Sequence, residues 1–152
     1  MSQANAEHQL LAAKVKLAEG SHRDVLELLD AIIAESAEEE AHKLLLAGQS
    51  FEGLNDVPRA IEAYTRAQSL APELAVPLLR RGALSYHAGD REAARRLLLR
   101  YVELEQGNPE AYYYLALCEP IPLRRSAFVS TVAILDGPAA AWSSELLRHL
   151  TR

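Results

Sequence analysis

An all-α fold of paired helices is what this sequence predicts, and three observations carry the prediction. The first is composition: Ala, Leu, Glu and Arg dominate a 152-residue chain that is 49% hydrophobic and 24% charged, a helix-forming balance long enough to bury a core. No Asn-Gly or Asp-Gly dipeptide lies between alternating apolar runs, so β-hairpins have no signal. The second is repetition. Leu44, Gly48, Asp56, Ala60 and Tyr64 are followed 34 residues later by Leu78, Gly82, Asp90, Ala94 and Leu98, with small residues over small ones. The third is punctuation: Leu54-Asn55 and Ala88-Gly89 suit helix ends, and Asp56 and Asp90 suit the N-caps that follow.

Taken in order, the elements form pairs within one domain spanning residues 1–152. Residues 6–40 make a degenerate first pair. Leu10, Ala13 and Leu17 give its first helix an apolar stripe, Gly20-Ser21 stops it, and RDVLELLDAIIAE forms the second helix with Val25, Leu29 and Ile32 inward. Residues 41–74 form a clear pair. Its first helix runs ten to twelve residues, Pro58 falls in the first turn of the second, where a missing N–H costs little, and Pro72 ends it. Residues 75–108 repeat the plan, with Arg81 and Ser85 in apolar slots and Gln106 in place of the proline. The second helix there is expected to run on to Gly107-Asn108-Pro109. Gly48 with Ala60, and Gly82 with Ala94, are expected where antiparallel helices cross closely.

Residues 109–136 are a degenerate fourth pair. Tyr112, Leu115 and Ala116 fit its first helix, Glu119 takes an aromatic slot, and Pro120-Ile121-Pro122 breaks the chain. LRRSAFVSTVAILD then brings Phe128, Val132 and Leu135 to one face. Asp136-Gly137-Pro138 is a stop and a restart. Residues 138–151 read as a capping helix with Trp142, Leu146 and Leu150 inward, covering the last face of a stack.

Leu44, Ala47-Gly48, Phe51, Ala60, Tyr64, Ala67 and Pro72 resemble the tetratricopeptide repeat (TPR). That pattern places Trp or Leu, Leu-Gly and Tyr in a first helix, then Ala, an aromatic residue and Pro in a second. Residues 75–108 are similar through Leu78, Gly82, Gly89, Ala94 and Leu98. The resemblance implies a right-handed α-α superhelix of TPR-like helical hairpins, ending in the capping helix. The first helix of each hairpin would line a concave groove.

The groove positions that the resemblance implies fall on His42, Leu45, Gln49 and Glu52 in the second repeat and on Val76, Leu79, Ala83, Tyr86 and His87 in the third. In the fourth they fall on Tyr113 and Leu117, and Arg80 and Tyr114 stand beside them. This divides the triplet Tyr112-Tyr113-Tyr114. Successive helical residues diverge by about 100°, so the three rings cannot all face one neighbour. Tyr112 takes the packing slot, Tyr113 faces the groove and Tyr114 flanks it. Tyrosine gives a stiff contact surface with a polar tip, as binding hot spots require. Chaperone-tail binders of this family use paired Lys and Asn, where this chain has Leu45, Gln49, Val76 and Leu79. The expected ligand is therefore an apolar or amphipathic segment.

Charge narrows the partners. The net charge is −5, with 13 acidic and 6 basic residues in 1–74 against 8 and 10 in 75–152. Phosphate-backbone binding needs a denser basic surface, so nucleic acid is not expected. Arg80, Arg81, Arg91, Arg95, Arg96 and Arg100 stand among Asp90, Glu92 and Glu103, which reads as a solvated face. Cys118 is the single cysteine, so an internal disulfide is impossible and a reducing, cytoplasmic setting is expected. No secretory signal or apolar run of about 20 residues is visible.

Reactive chemistry has little support. Glu38 with His42 and Glu145 with His149 are i,i+4 pairs, and two ligands do not make a metal site. No phosphate loop, nucleophile elbow or dinucleotide fingerprint is present, so no cofactor, metal or catalytic residue is assigned. The expected function is protein binding as an adaptor, assembly factor or chaperone, with the chaperones of bacterial export systems as an analogy of size. The other readings are a structural or regulatory subunit that docks or dimerises through its Arg-rich face and, more remotely, an enzyme.

Overall fold

Helix boundaries follow the punctuation closely enough to explain most of the architecture. The computed structural model describes residues 3–137 and 140–151, and the described residues form nine helices and no strand. They are α1 (Gln3–Ala18), α2 (His22–Asp30), α3 (Ala37–Gly53), α4 (Val57–Leu70), α5 (Val76–His87), α6 (Arg91–Leu104), α7 (Pro109–Cys118), α8 (Pro122–Asp136) and α9 (Ala141–Leu150). The fold class is all-α. Contacts divide the chain into two compact units, residues 1–77 and 78–152. None of the described helices is long and apolar enough to cross a membrane.

In the first unit α2 packs on α1 and α3, and α3 packs on α4. Ala6, Leu10, Ala13, Val25, Leu29, Ile32 and Leu46 form one buried cluster with Leu17 at its edge. Asn55 takes the left-handed conformation (φ 61°). Its N–H donates to Glu52 O at 2.9 Å and that of Asp56 to Phe51 O at 2.7 Å, so two otherwise orphaned carbonyls at the end of α3 are satisfied. Asp56 then caps α4, its carboxylate accepting from Arg59 N. Gly89 and Asp90 repeat this turn before α6 in the second unit, with bonds to Tyr86 O and Ser85 O.

The expected helix over residues 23–35 is corrected: α2 stops at Asp30. A capping arrangement competes for the residues beyond it. Ser36 Oγ accepts from Glu39 N at 3.1 Å, and the Glu39 carboxylate accepts from Glu35 N at 2.8 Å. Lys43 Nζ also donates to Ile32 O at 3.0 Å. Ile32 stays buried outside any helix, and α3 starts at Ala37 and runs 17 residues, beyond the ten to twelve expected.

The repeat has a steric basis. A Cβ on Gly48 would lie 2.5 Å from the Tyr64 ring, and one on Gly82 would lie 2.7 Å from Leu98. Each glycine makes room for a fully buried side chain of the helix that follows it. Ala60 and Ala94 are fully buried as well. The Tyr64 hydroxyl donates to Glu52 Oε2 at 2.8 Å, closing the crossing of α3 and α4 with a polar tie.

In the second unit the expected extension of α6 toward Gly107 is corrected. It ends at Leu104, 34 residues after the end of α4 at Leu70. The capping residues Ala71 and Glu105 leave the helix in similar conformations, each donating to the carbonyl four residues back. Pro109 opens a helix instead of ending one. Asn108 Oδ1 accepts from Glu110 N at 3.0 Å, and Asn108 Nδ2 donates to the Tyr101 hydroxyl at 3.1 Å, so Asn108-Pro109 starts α7.

The Asp136 carboxylate, at the end of α8, accepts from Trp142 N at 2.9 Å and Ser143 N at 3.1 Å and so fixes the start of α9. Gly137 has φ 82°, the expected stop. The restart at Pro138 lies outside the described residues, as do 139 and 152. α9 packs on both α7 and α8. Its buried line therefore runs through Ser143 and Leu146, while Leu135 of α8 and Leu150 are exposed, contrary to expectation.

Candidate partner-binding surface

In the first unit the expected groove residues His42, Leu45, Gln49 and Glu52 are each half-buried on α3. Glu52 is engaged by Tyr64, as described, and serves packing. The His42 ring meets Glu38 through the backbone carbonyl, Nδ1 to O at 2.9 Å, and not through its carboxylate. Between α1 and α3 lies a hollow of about 600 Å³, with Leu10, Leu11 and Lys14 on one wall and Glu38, Glu39 and His42 on the other. Leu11 is well exposed there.

The second unit departs further from expectation. Tyr113 is 5% exposed, Tyr114 8%, Leu79 5% and Ala83 4%, so these four are not open to a partner. α9 is the cause. The Trp142 ring lies 5.1 Å from that of Tyr113, centroid to centroid, and His149 lies 6.3 Å away on the same ring. Burial, with Glu145 nearby, pushes the Tyr113 hydroxyl up to about 12. Tyr114 packs edge-on to Tyr113 at 5.0 Å and shares a hydrogen bond of 3.1 Å with His87 Nε2. Tyr112, expected to be the packing residue, is half-buried beside Phe128, 6.3 Å from its ring. The capping helix thus covers Tyr113, so that Tyr113 and Tyr114 are buried where the resemblance implied an open groove.

The expected residues still within reach of solvent are Arg80, Tyr86, His87 and Leu117. Arg80 meets Glu110 at 3.5 Å. Tyr86 packs edge-on to His87 and tilted against Tyr114, both at 5.4 Å. Tyr86 and Leu117 form one side of a hollow of about 260 Å³ whose other walls come from Arg91, Arg125, His149 and Leu150. Arg125 is positioned by its Nε–H, which donates to Glu119 O at 3.0 Å. Sequence reasoning missed Arg91, Arg125 and His149 as neighbours. The only signal was the basic excess of residues 75–152, which says nothing of where the charges meet.

Two other expectations meet the structure here. Arg95, read as part of a solvated face, is half-buried and reaches Glu119 at 3.7 Å and Glu92 at 3.4 Å. Cys118 is buried, and burial pushes its thiol up to about 11, so little nucleophilic thiolate exists at neutral pH. Among the described residues, no three His, Cys, Asp or Glu side chains are grouped to hold a metal.

No family model matches the chain. It is 31% identical over 137 residues to the protein HemY of Escherichia coli strain K12, and equally to HemY of Shigella flexneri, a match over 90% of this chain. The chain spans about a third of the length of these curated relatives. Among solved structures, a crystal structure of MamA protein is similar with a TM-score of 0.72 at 18% identity, covering 88% of this chain and 74% of that one. A second MamA crystal structure gives 0.66 at 17% identity, covering 97% and 79%. The fold is TPR-like.

Proposed function

We propose that this chain is a protein-interaction module that holds a peptide or amphipathic helical segment of another protein, as an adaptor, assembly factor or chaperone. The observation that carries this reading is the hollow beside Tyr86 and Leu117. There a ring braced by His87 and Tyr114 presents apolar surface next to charged groups, the combination that anchors side chains at protein interfaces. The TPR-like fold is consistent with it, although fold alone does not fix function. The surface proposed in the second unit is narrower than the sequence implied: Arg80, Tyr86, His87 and Leu117 remain, with Leu45 and Gln49 on α3 of the first unit. The test is capture of a native partner by the tagged protein, repeated with Tyr86→Ala and Leu117→Ala. A partner lost with both variants, while their helix content and melting temperature stay near wild type, supports the reading. Undiminished capture by both variants rejects this surface.

A second reading is favoured by α8. Leu123 is 82% exposed and Ile134 81%, and eleven residues of helix return to nearly the same face. Such a stripe suits docking on a larger assembly or on a second copy. Replacing both by Lys should then disrupt the assembly and leave peptide capture unchanged.

A further inference from the structure

The hollow of the second unit combines two chemistries. Tyr86, Leu117 and Leu150 give it apolar walls, while Arg91, Arg125 and His149 line it from three different helices. Among the described residues no carboxylate lines it. The nearby acids are otherwise occupied: Glu119 bonds Arg95 and the N–H of Ile121, and Glu145 pairs with Arg148 and His149. Two arginine side chains lining one concavity give it a positive local field, stronger beside low-dielectric walls. Arg125 spends one of its five N–H donors on Glu119 O, which fixes the group in place with donors to spare.

We infer that this hollow recognises a partner segment in which a carboxylate side chain lies one helical turn from an apolar anchor. The carboxylate would sit between Arg91 and Arg125, and the anchor against Tyr86 and Leu117. The inference rests on the protein-binding reading above and specifies its chemistry. Size supports side-chain recognition: about 260 Å³ is less than the roughly 300–1,000 Å³ of pockets that enclose a whole small molecule. Geometry supports a carboxylate, because guanidinium forks match planar two-oxygen acceptors.

The experiment uses two fluorescein-labelled amphipathic peptides of Leu, Ala and Glu, identical except that one carries Gln in place of every Glu, with binding to the full chain read by anisotropy. The acidic peptide should bind about tenfold more tightly, the usual worth of one charge-assisted contact. Arg91→Glu should abolish that preference. It should fold normally, since Arg91 is exposed in the first turn of α6, where an acidic residue suits the helix dipole. Arg124→Glu makes the same charge change at an exposed position of α8 outside the hollow and should retain the preference. Equal losses in the two variants would mean a general field effect and overturn the inference. Displacement of the acidic peptide by inorganic phosphate, beyond chloride of matched ionic strength, would show a phosphate site and also overturn it. Equal affinity for both peptides, still lost with Tyr86→Ala, overturns the carboxylate claim and leaves the broader reading standing. Failure of both peptides to bind overturns the inference, and capture of a native partner then decides the broader reading separately.

Discussion

The Tyr113 and Trp142 rings meet at 5.1 Å and 53°, and this contact ties α9 to α7. Trp142 is the only tryptophan in the chain, so its emission reports the docking of α9 directly. Tyr113→Ala should red-shift that emission and cost about 2 kcal/mol in urea unfolding, through lost burial and lost ring contact, with little change in helix content. Unshifted emission would mean that α9 does not rest on Tyr113.

Stability should fall at alkaline pH in two stages. Burial raises the Cys118 thiol to about 11 from its ordinary 9.0, and the Tyr113 hydroxyl to about 12 from 10.0. Above the unfolded value the unfolded chain releases a proton that the folded chain keeps, so unfolding is favoured as pH rises. The contribution of each group is intact below its unfolded pKa and is lost through the windows 9–11 and 10–12. Urea midpoints measured from pH 8 to pH 11 should decline, and Cys118→Ala should remove the earlier part. A flat midpoint for the wild-type chain would contradict burial of both groups.

Gly48 and Tyr64 test the steric basis of the repeat. Gly48→Ala places a Cβ 2.5 Å from the rigid ring and should destabilise by about 1–3 kcal/mol, as overpacking does. Gly82→Ala meets the branched end of Leu98 at 2.7 Å, a more yielding neighbour, and should cost less. Adding Tyr64→Leu to Gly48→Ala should recover part of the loss, since leucine is a more yielding neighbour than the ring. A Gly48→Ala protein as stable as wild type would remove the steric account.

How much of this was legible in the sequence depends on range. Gly48, Asp56 and Tyr64 could be read because each repeat writes its own crossing and its own caps within 34 residues. The Ser36–Glu39 capping arrangement is also written locally, but it lies ahead of the 34-residue pattern that begins at residue 41. The burial of Tyr113 was of another kind. It depends on where α9 lands, and that is set by the Asp136 carboxylate gripping Trp142 N and Ser143 N. No pattern within α7 carries that information. The basic hollow escaped for the same reason: Arg91, Arg125 and His149 share no period and meet only once the second unit folds.

Arg95 and Glu119 give the last prediction. Glu119 is 3% exposed, and its carboxylate is held by Arg95 at 3.7 Å and by the N–H of Ile121 at 3.0 Å. Removing the half-buried Arg95 leaves the buried Glu119 carboxylate without its counter-charge, which costs more than a surface ion pair is worth. Arg95→Ala should therefore destabilise by about 2 kcal/mol or more, whereas Arg96→Ala, at an exposed position, should fall within about 0.5 kcal/mol of wild type. Glu119→Gln retains the acceptor for Ile121 N without the charge, so the Arg95→Ala/Glu119→Gln double variant should be more stable than Arg95→Ala alone. Thermal melts of the four proteins decide it. Equal, small losses for Arg95→Ala and Arg96→Ala would return Arg95 to the solvated face that the sequence suggested.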